Sequence, residues 1–367
     1  MTREARSIVC VMYLLIAFGI VMIYSASAVY ADQVFHSPTY FLRRQVFYVI
    51  IGSFLFLITS SLDPEFLRRH ARLLMLVAII LLALVFLPFV GHSAGGARRW
   101  IQLPLFTFQP AEFVKLALCL YLSDYLARKM KPMLEGSPLV FLSPLFLLLV
   151  VFVLIMAQPD LGSCMFLALL VGILFFLSGI RPRYILLAGV ATAVVLTLLV
   201  LAEPYRLRRI TAYIDPWKDP RGSGFQIIQS FLAFGLGGLT GVGLGESTQK
   251  LFYLPQSYTD FIFSIIGEET GLAGALVVIT CYAVFLLMGG RLSERLRDPF
   301  SRLLSYSLVM LVTLQALINL LVAVGLIPTK GLPLPFISYG GTSLIFNMVS
   351  VGILVAIDKA SIRYSRR

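Results

Sequence analysis

Long apolar runs alternate along the chain with short polar connections. Ten of these runs are about as long as a helix that crosses a bilayer. They cover residues 8–30, 45–61, 73–90, 111–127, 139–157, 164–179, 184–202, 261–290, 303–326 and 338–357. The pattern predicts an all-α polytopic membrane protein with ten transmembrane helices, formed by a single domain over residues 1–367.

The longest departure from this pattern is residues 203–260, between the seventh and eighth predicted helices. A segment of this length can be translocated whatever its charge, so we expect a large extracytoplasmic loop. Its second half, Gly224 to Leu244, has the apolar content of a helix lying on the membrane surface, followed by a glycine-rich turn.

Composition narrows the class of protein. With 59% hydrophobic and 13% charged residues and a mean hydropathy of +0.91, the chain is not an ordinary soluble domain. It has no P-loop and no G-x-G-x-x-G between a strand and a helix, so we expect no nucleotide cofactor, and we expect no nucleic-acid partner. The four cysteines lie in apolar runs, and the three histidines lack the spacing of a zinc site.

Lys and Arg are unevenly divided between the two sets of loops. Most lie on the side of the chain termini, whereas the short loops opposite carry only Arg43, Arg44, Arg98, Arg99 and Lys330. Basic residues favour the cytoplasmic side of a membrane. We therefore expect both termini in the cytoplasm and an active face that is extracytoplasmic.

Asp260 stands where a proline-led loop turns into an apolar helix. One interpretation is a helix N-cap, since Thr259 and Asp260 are both preferred cap residues and an acid favours the positive helix end. The other is proton transfer by a carboxylate at the boundary between water and lipid. The residues alone leave both interpretations open.

Glu112 and Lys115 are three residues apart at the start of the fourth predicted helix. They share a helix face and can neutralise each other. A lone lysine within a span costs about 2.5–3.5 kcal/mol on insertion scales, so a partner is expected. A structural ion pair and a cation-bearing substrate site both fit this spacing.

Two outer turns carry further polar groups. Asp160 lies in a Pro-Asp-Leu-Gly turn, where ordinary turn chemistry is the alternative to a second outward-facing carboxylate. The last turn, residues 330–343, combines Lys330 with Ser338, Gly340 and Gly341. Paired glycines let backbone N–H groups approach an anion, and a re-entrant hairpin without a ligand is the alternative.

Five segments resemble, in order and spacing, the SEDS proteins (shape, elongation, division and sporulation). They are GARRWI, FQPAEF, QPDLG, KLFYLPQSYTDFIFSIIGEETG and KGLPLPFISYGGTS. The resemblance covers nearly the whole chain. The GVGLG turn and the IGEE sequence are similar to the division-associated, FtsW-like branch of that family.

This resemblance implies a ten-helix peptidoglycan glycosyltransferase of the bacterial cytoplasmic (inner) membrane. It implies polymerisation of lipid II into a growing glycan chain during septal cell-wall synthesis in cell division. The implied partners are a class B penicillin-binding protein, which is a transpeptidase, and other divisome membrane proteins. It also implies that Asp260 is the catalytic acid residue and that Glu112, Lys115 and Asp160 belong to the functional cavity.

The chain departs from the family pattern just before the Thr-Asp pair. Where the family commonly has Glu and His, this chain has Gln256 and Tyr258. That removes one carboxylate and one proton shuttle. The proton-transfer role then falls on Asp260, with Glu269 or Asp160 as alternatives.

We expect Asp260 to act as a general base that takes the proton from the 4-hydroxyl of the acceptor sugar. The leaving diphosphate is already stable as an anion, so cations or a divalent metal, Mg²⁺ or Mn²⁺, suffice there. The expected substrate-binding residues are Arg44, Glu112, Lys115, Asp160, Thr259, Lys330, Ser338, Gly340 and Gly341.

Two other functions use the same features. A lipid II flippase needs similar grooves and cations, but no chain of ionisable residues continues through the predicted midplane. A non-catalytic recruiter of a division transpeptidase would make Asp260 dispensable.

Overall fold

The computed structural model describes residues 1–94, 97–103, 107–134, 142–201, 204–251, 253–329 and 331–365. Helices dominate these ranges. They are α1 Arg3–Phe35, α2 Tyr40–Thr59, α3 Pro64–Leu84, α4 Pro110–Leu134, α5 Leu142–Ala157, α6 Leu161–Leu177, α7 Pro182–Leu201, α8 Pro204–Ile214, α9 Phe225–Gly237, α10 Ile262–Glu294, α11 Pro299–Ala323 and α12 Gly341–Ser365. A short 3₁₀ helix, Pro216–Lys218, joins α8 to α9.

The helices account for every predicted apolar segment. The ten runs overlap α1 to α7 and α10 to α12. Within the described ranges, five helices are long and apolar enough to cross a membrane: α1, α2, α10, α11 and α12. The helical membrane architecture is therefore confirmed, and the count of ten spans stays a prediction.

Local sequence explains where several helices begin. Asp63 and Asp298 precede a proline and cap α3 and α11, each accepting a hydrogen bond from a backbone N–H in the first turn. Proline is favoured at the first helical position because its missing N–H would be unpaired there. Thr2 caps α1 in the same way, through Ala5 N at 3.2 Å.

The expectation of an all-α chain is wrong in one segment. β1 (Gly91–Ala94), β2 (Ala97–Gln102) and β3 (Thr107–Phe108) form a small antiparallel sheet in the order β1-β2-β3. Ala97 and Ile101 are buried, whereas Arg98 and Gln102 are exposed. Arg99 and Trp100 between them are half-buried, so burial does not alternate strictly along β2. The strand lies in a segment where the sequence predicted only a connection between two helices.

The bundle is most enclosed at α11 and α12. α12 packs against α2, α1 and α4, and α11 packs against α10 and α4. The two ends of the chain meet, since Thr2 N donates to Asp358 Oδ2 at 2.9 Å. The start of α1 and the end of α12 therefore lie at the same end of the bundle.

α10 is broken at Gly271, which has φ 65° and ψ −165°. Residues 238–245, here called the glycine strap, lie across the break. Val242 N and Gly243 N donate to the carbonyls of residues 268 and 269, and the carbonyls of residues 238 and 239 accept from the amides of residues 272 and 273. The strap therefore supplies the hydrogen bonds that the helix loses, which an apolar environment requires.

The predicted helix between Gly224 and Leu244 is confirmed as α9. Its Ser230 hydroxyl contacts the Ser264 hydroxyl at 2.6 Å and donates to the carbonyl of Ala323. A Cβ on Gly237 would overlap the carbonyl of Gly267, so only glycine allows this approach. One face of α9 is thus packed against α10 and α11.

Candidate functional site

The loop that carries Asp260 is hydrogen-bonded to the loop that precedes α12, which the sequence predicts to be the last outer loop. Tyr339 N donates to the carbonyl of Tyr258 at 3.0 Å, and Ser338 Oγ donates to the carbonyl of Thr259 at 2.6 Å. Residues 258–260 and 331–343, together with Gln315 and Asn319 of α11, are called the outer cradle. Two predicted site residues, Thr259 and Ser338, thus contact each other.

Two amide side chains of α11 donate hydrogen bonds to the backbone of both loops in the cradle. Asn319 Nδ2 donates to the carbonyls of Asp260 and Leu332, both at 2.8 Å. One turn earlier, Gln315 Nε2 donates to the carbonyl of Pro333 at 2.9 Å. Both amides are buried, and this i, i+4 pair fixes the two loops against one helix face. The sequence analysis missed both.

Asp260 is half-buried, and its Oδ2 atom lies 3.4 Å from the position that a Cβ on Gly331 would take. The N-cap of α10 is Phe261, which forms no side-chain cap hydrogen bond. The cap interpretation of Thr259 and Asp260 is therefore wrong. The Thr259 hydroxyl donates instead to Gln256 Oε1 at 2.7 Å. Lys330 lies outside the described residues.

Glu112 and Lys115 form the predicted ion pair. Lys115 Nζ lies 2.7 Å from Glu112 Oε1 and 3.1 Å from Gln315 Oε1, and 4.9 Å from the centre of the Phe166 ring. Lys115 is only 1% exposed, so its ammonium is enclosed by these partners. Because Gln315 also holds Pro333, the pair is connected to the outer cradle through a single side chain.

Asp160 caps α6. Its carboxylate accepts from Ser163 N at 3.1 Å and from Ser163 Oγ at 2.8 Å. Arg99 of β2 donates to the carbonyls of Gln158, at 2.9 Å, and of Pro159. Asp160 therefore has a local structural role as a helix cap, and a role toward substrate stays a prediction.

The rings of Tyr40, Tyr48 and Tyr339 lie beside the predicted site residues Arg44 and Gly341. Arg44 lies 5.0 Å from the centre of the Tyr40 ring and close enough to the Tyr339 hydroxyl to interact with it electrostatically. Gly341 begins α12, and a Cβ there would overlap the Tyr48 ring. Gly341 therefore permits close packing. Gly340 has room beside Pro333 for a Cβ.

Burial raises the pKa of the Tyr258 phenol to about 12 and also raises the pKa of the Tyr339 phenol. Both phenols are therefore protonated at physiological pH. Tyr258 does not replace the histidine of the family pattern as a proton acceptor.

A second polar group, here called the buried clamp, consists of Ser25, Lys250, Glu268 and Glu269. Glu269 accepts from Ser25 Oγ at 2.6 Å and from Lys250 Nζ at 3.0 Å. Glu268 accepts from Thr248 N and Oγ1, both at 2.9 Å, and from the Ser247 hydroxyl. Both glutamates are fully buried. The clamp holds the loop after the glycine strap against α1 and α10.

Glu269 is thereby separated from Asp260. It lies seven residues beyond the start of α10, which is about 10 Å along the helix axis. Its carboxylate is occupied by Lys250 and Ser25. This placement does not favour Glu269 as a substitute base.

Within the described ranges, no three His, Cys, Asp or Glu side chains form a group able to hold a metal ion. Mg²⁺ is commonly bound through one or two carboxylates together with substrate phosphates. Asp260 fits that kind of shared site, with the substrate supplying the remaining oxygens.

Comparison with known proteins defines the class of this helical membrane protein. The model of the cell cycle protein family that contains FtsW, RodA and SpoVE matches residues 5–362. The chain belongs to this family.

Individual relatives agree over nearly the full length. The chain is 45% identical to the probable peptidoglycan glycosyltransferase FtsW of Geobacter sulfurreducens, over 94% of this chain and 92% of the relative. It is 39% identical to stage V sporulation protein E of Bacillus subtilis, over 98% and 97%.

Solved structures share the fold. A chain of a peptidoglycan synthase complex, described as coordinating polymerization and crosslinking, superposes with a TM-score of 0.78 at 29% identity, covering 96% of this chain and 97% of that one. The rod shape determining protein RodA of Thermus thermophilus superposes with a TM-score of 0.71 at 26% identity, covering 96% of both chains.

Proposed function

We propose that this chain is a peptidoglycan glycosyltransferase that polymerises lipid II during septal cell-wall synthesis. The names of its relatives support the reaction class. The observation that carries the proposal is the outer cradle, which fixes the backbone on both sides of Asp260 and leaves its side chain half-buried. A base held in this way can meet a substrate at the edge of the bundle.

The proposed topology is ten spans in the bacterial inner membrane, with both termini cytoplasmic. Residues 203–260 form the large extracytoplasmic loop between the seventh and eighth spans. The contact between Thr2 and Asp358 supports an even number of spans. The distribution of Lys and Arg supports the orientation, with the cradle on the outer face.

In the proposed reaction, Asp260 takes the proton from the 4-hydroxyl of the acceptor sugar as that oxygen attacks the donor sugar. The other acids near the cradle are less suited to this role. Glu112 is paired with Lys115, and Asp160 is occupied as a helix cap. General-base catalysis of this kind contributes about 10²- to 10⁴-fold.

The leaving diphosphate needs positive charge rather than an acid. We assign this role to Arg44, at the cradle rim, and to Lys330. Lys115 supports the cradle through Gln315. Thr259, Ser338, Gly340 and Gly341 contribute hydroxyls and backbone around the substrate. A bound Mg²⁺ or Mn²⁺ would neutralise phosphate charge beside Asp260.

The proposed partners are a class B penicillin-binding protein and other divisome membrane proteins. A solved relative is described as part of a complex that joins polymerization to crosslinking. We expect polymerisation by the isolated chain to be weak, and equal turnover with and without the transpeptidase would contradict this dependence.

The test replaces Asp260 by Asn, which keeps the size of the side chain and removes the base. Purified protein with its transpeptidase is supplied with lipid II and divalent metal, and polymer length is followed on a gel. Polymerisation is expected to fall by about two orders of magnitude or more. Asp219→Asn is the matched control, since Asp219 is an exposed acid of the same outer loop, and it should polymerise normally. Near-normal polymer from Asp260→Asn would remove Asp260 from the mechanism.

Two rival functions have distinct outcomes. A flippase moves lipid II between leaflets of proteoliposomes that contain only this chain, without forming polymer. A recruiter binds the transpeptidase and forms no polymer with or without Asp260. Either result in place of polymer would overturn the proposed reaction.

A further inference from the structure

A cavity of about 470 Å³ opens far from the outer cradle. It is lined by Arg72 of α3, by Tyr121, Tyr125, Arg128 and Lys129 of α4, and by Ser143 of α5. Glu112, near the cradle end of α4, precedes Arg128 by sixteen residues, which is about 24 Å along the helix. The cavity is therefore separate from the proposed polymerisation site.

The described lining carries three cations and no acid. Arg128 is oriented from behind by the buried Asp124, which accepts from Arg128 Nε at 3.0 Å and from its Nη2 at 2.6 Å. Asp124 also pairs with Arg68 at 3.3 Å. Within the described ranges, Arg72 and Lys129 form no ion pair, so the cavity has a positive charge available to an anion.

The remaining lining groups are aromatic rings and hydroxyls. The Tyr121 and Tyr125 rings are nearly parallel, with centroids 6.1 Å apart. The hydroxyls of Tyr125 and Ser143 are hydrogen-bonded to each other. Guanidinium groups and hydroxyls are donors that suit phosphate oxygens, and tyrosine rings favour the headgroup zone of a membrane.

Apolar surface continues from the cavity along both flanking helices. Leu73 and Leu76 of α3 are each 55% exposed, and Leu73 follows Arg72 directly. Phe146 of α5, one turn beyond Ser143, is 68% exposed. A free phosphate ion has no apolar groups that could pack against this surface. The acyl chains of a phospholipid can cover it and remove it from water.

We propose that this cavity binds the phosphodiester headgroup of an anionic phospholipid in the leaflet on the side of the chain termini. The side is defined by contacts: Arg68 lies 5.5 Å from the centre of the Phe300 ring at the start of α11, and Arg295, just before α11, pairs with Glu4 at 2.8 Å. Basic pockets between helices on this side of a membrane are suited to anionic headgroups.

The test compares two double variants of the full-length chain. Arg72→Gln with Lys129→Gln removes the two cations of the cavity that form no ion pair within the described ranges. Arg291→Gln with Arg297→Gln removes the same charge from exposed positions at the same end of the bundle, outside the cavity. Each protein is placed in nanodiscs of phosphatidylcholine with a minor fraction of phosphatidylglycerol, extracted gently, and its retained lipids are counted by native mass spectrometry.

Wild type is expected to retain phosphatidylglycerol in preference to phosphatidylcholine. The cavity variant should lose this preference by about tenfold or more, because Arg72 and Lys129 line one cavity and can contact the same headgroup phosphate. The control variant should stay within about twofold of wild type, because Arg291 and Arg297 do not line the cavity. Equal retention by wild type and the cavity variant, or an equal loss in the control, would overturn the proposal.

A second measurement separates a lipid from a free anion. The Tm of wild type is measured in phosphatidylcholine alone, with added phosphatidylglycerol, and with added inorganic phosphate. Only phosphatidylglycerol is expected to raise the Tm. An equal rise with inorganic phosphate would overturn the lipid assignment. Equal Tm values for all three proteins in phosphatidylcholine alone establish that the variants fold.

Discussion

The outer cradle holds the loop just before α10, and the buried clamp lies about two turns into that helix, yet the two regions use acids differently. In the cradle, the amide of Asn319 and the hydroxyl of Ser338 hold the backbone carbonyls of Asp260 and Thr259. In the clamp, the carboxylates of Glu268 and Glu269 are themselves the acceptors. In the cradle, the hydrogen bonds to the backbone fix the position of a half-buried acid, whereas in the clamp the carboxylates themselves form the hydrogen bonds that stabilise the fold. The cradle is thus suited to a reaction, and the clamp to stability.

The largest expected effect on stability comes from breaking the clamp. Lys250→Met leaves Glu269 buried without its cation, which costs about 3–5 kcal/mol of the free energy of unfolding. Lys218→Met is the control, because the Lys218 side chain is 81% exposed in its pair with Asp215 and such pairs contribute about 1 kcal/mol or less. Denaturant unfolding in detergent measures both. If Lys250→Met instead kept its stability and lost a hundredfold in polymerisation rate per folded molecule, the clamp would belong to the reaction and not to the stability of the fold.

The next effect tests the glycine strap, which bridges the break in α10 beside the clamp. Gly271→Ala places a Cβ at φ 65° and against the backbone of Leu239 and Gly241. Backbone strain alone costs about 1–3 kcal/mol there. Gly290→Ala in the same helix has open space around its Cβ and should be neutral or stabilising by up to about 1 kcal/mol. Thermal unfolding of the two variants should shift in opposite directions, and a matching shift would contradict the role of the strap.

A smaller change in stability with a larger change in rate is expected in the cradle. Asn319→Ala removes the hydrogen bonds to the carbonyls of Asp260 and Leu332, at about 0.5–1.5 kcal/mol each. Because Asp260 then loses its fixed position, polymerisation should slow by about tenfold. Ser293→Ala removes a buried hydroxyl near the other end of α10, with its hydrogen bonds to the Gly289 carbonyl and the Ser305 hydroxyl, and should lower stability without that loss of rate. Equal rates for the two variants would show that Asn319 does not position the loop.

The sequence predicts those structural features that depend on residues close together in the chain. Apolar runs predicted the ten corresponding helices, and the spacing of Glu112 and Lys115 predicted their ion pair, because both signals are local. Ala97–Gln102 forms a strand without strict alternation of burial and lies in a short segment between two long apolar runs, so no local signal distinguished it. The resemblance to a family indicated Asp260, which neither spacing nor periodicity distinguishes from a helix cap.

Local sequence patterns could not predict the side-chain contacts between helices that are distant in the chain. Ser25 and Glu269 are 244 residues apart, and Lys115 and Gln315 are 200 apart. Nothing in either segment specifies the other, since a buried serine or glutamine reads locally as part of an apolar helix. These pairings exist only because the helices pack side by side.

The smallest expected effect concerns Tyr258. Burial raises the pKa of its phenol to about 12, so it stays protonated while the enzyme works. Tyr258→Phe should keep the pH profile of polymerisation unchanged at neutral pH, with a stability cost of about 1 kcal/mol for the lost hydrogen bond to Tyr30. Since the ordinary pKa of tyrosine is about 10, ionisation of this phenol costs stability only above that pH, and the variant should lose this alkaline sensitivity. A pH profile shifted near neutrality would assign Tyr258 a proton-transfer role.

A helix broken at a glycine usually works as a hinge, but the break at Gly271 is bridged by the hydrogen bonds of Val242, Gly243, Leu272 and Ala273. Bending α10 at this point would require those bonds to open in an apolar environment, where each unsatisfied group costs several kcal/mol. The two parts of α10 therefore keep their relative angle. The loop that carries Asp260 is consequently joined to one rigid element, which extends past the break to Glu294.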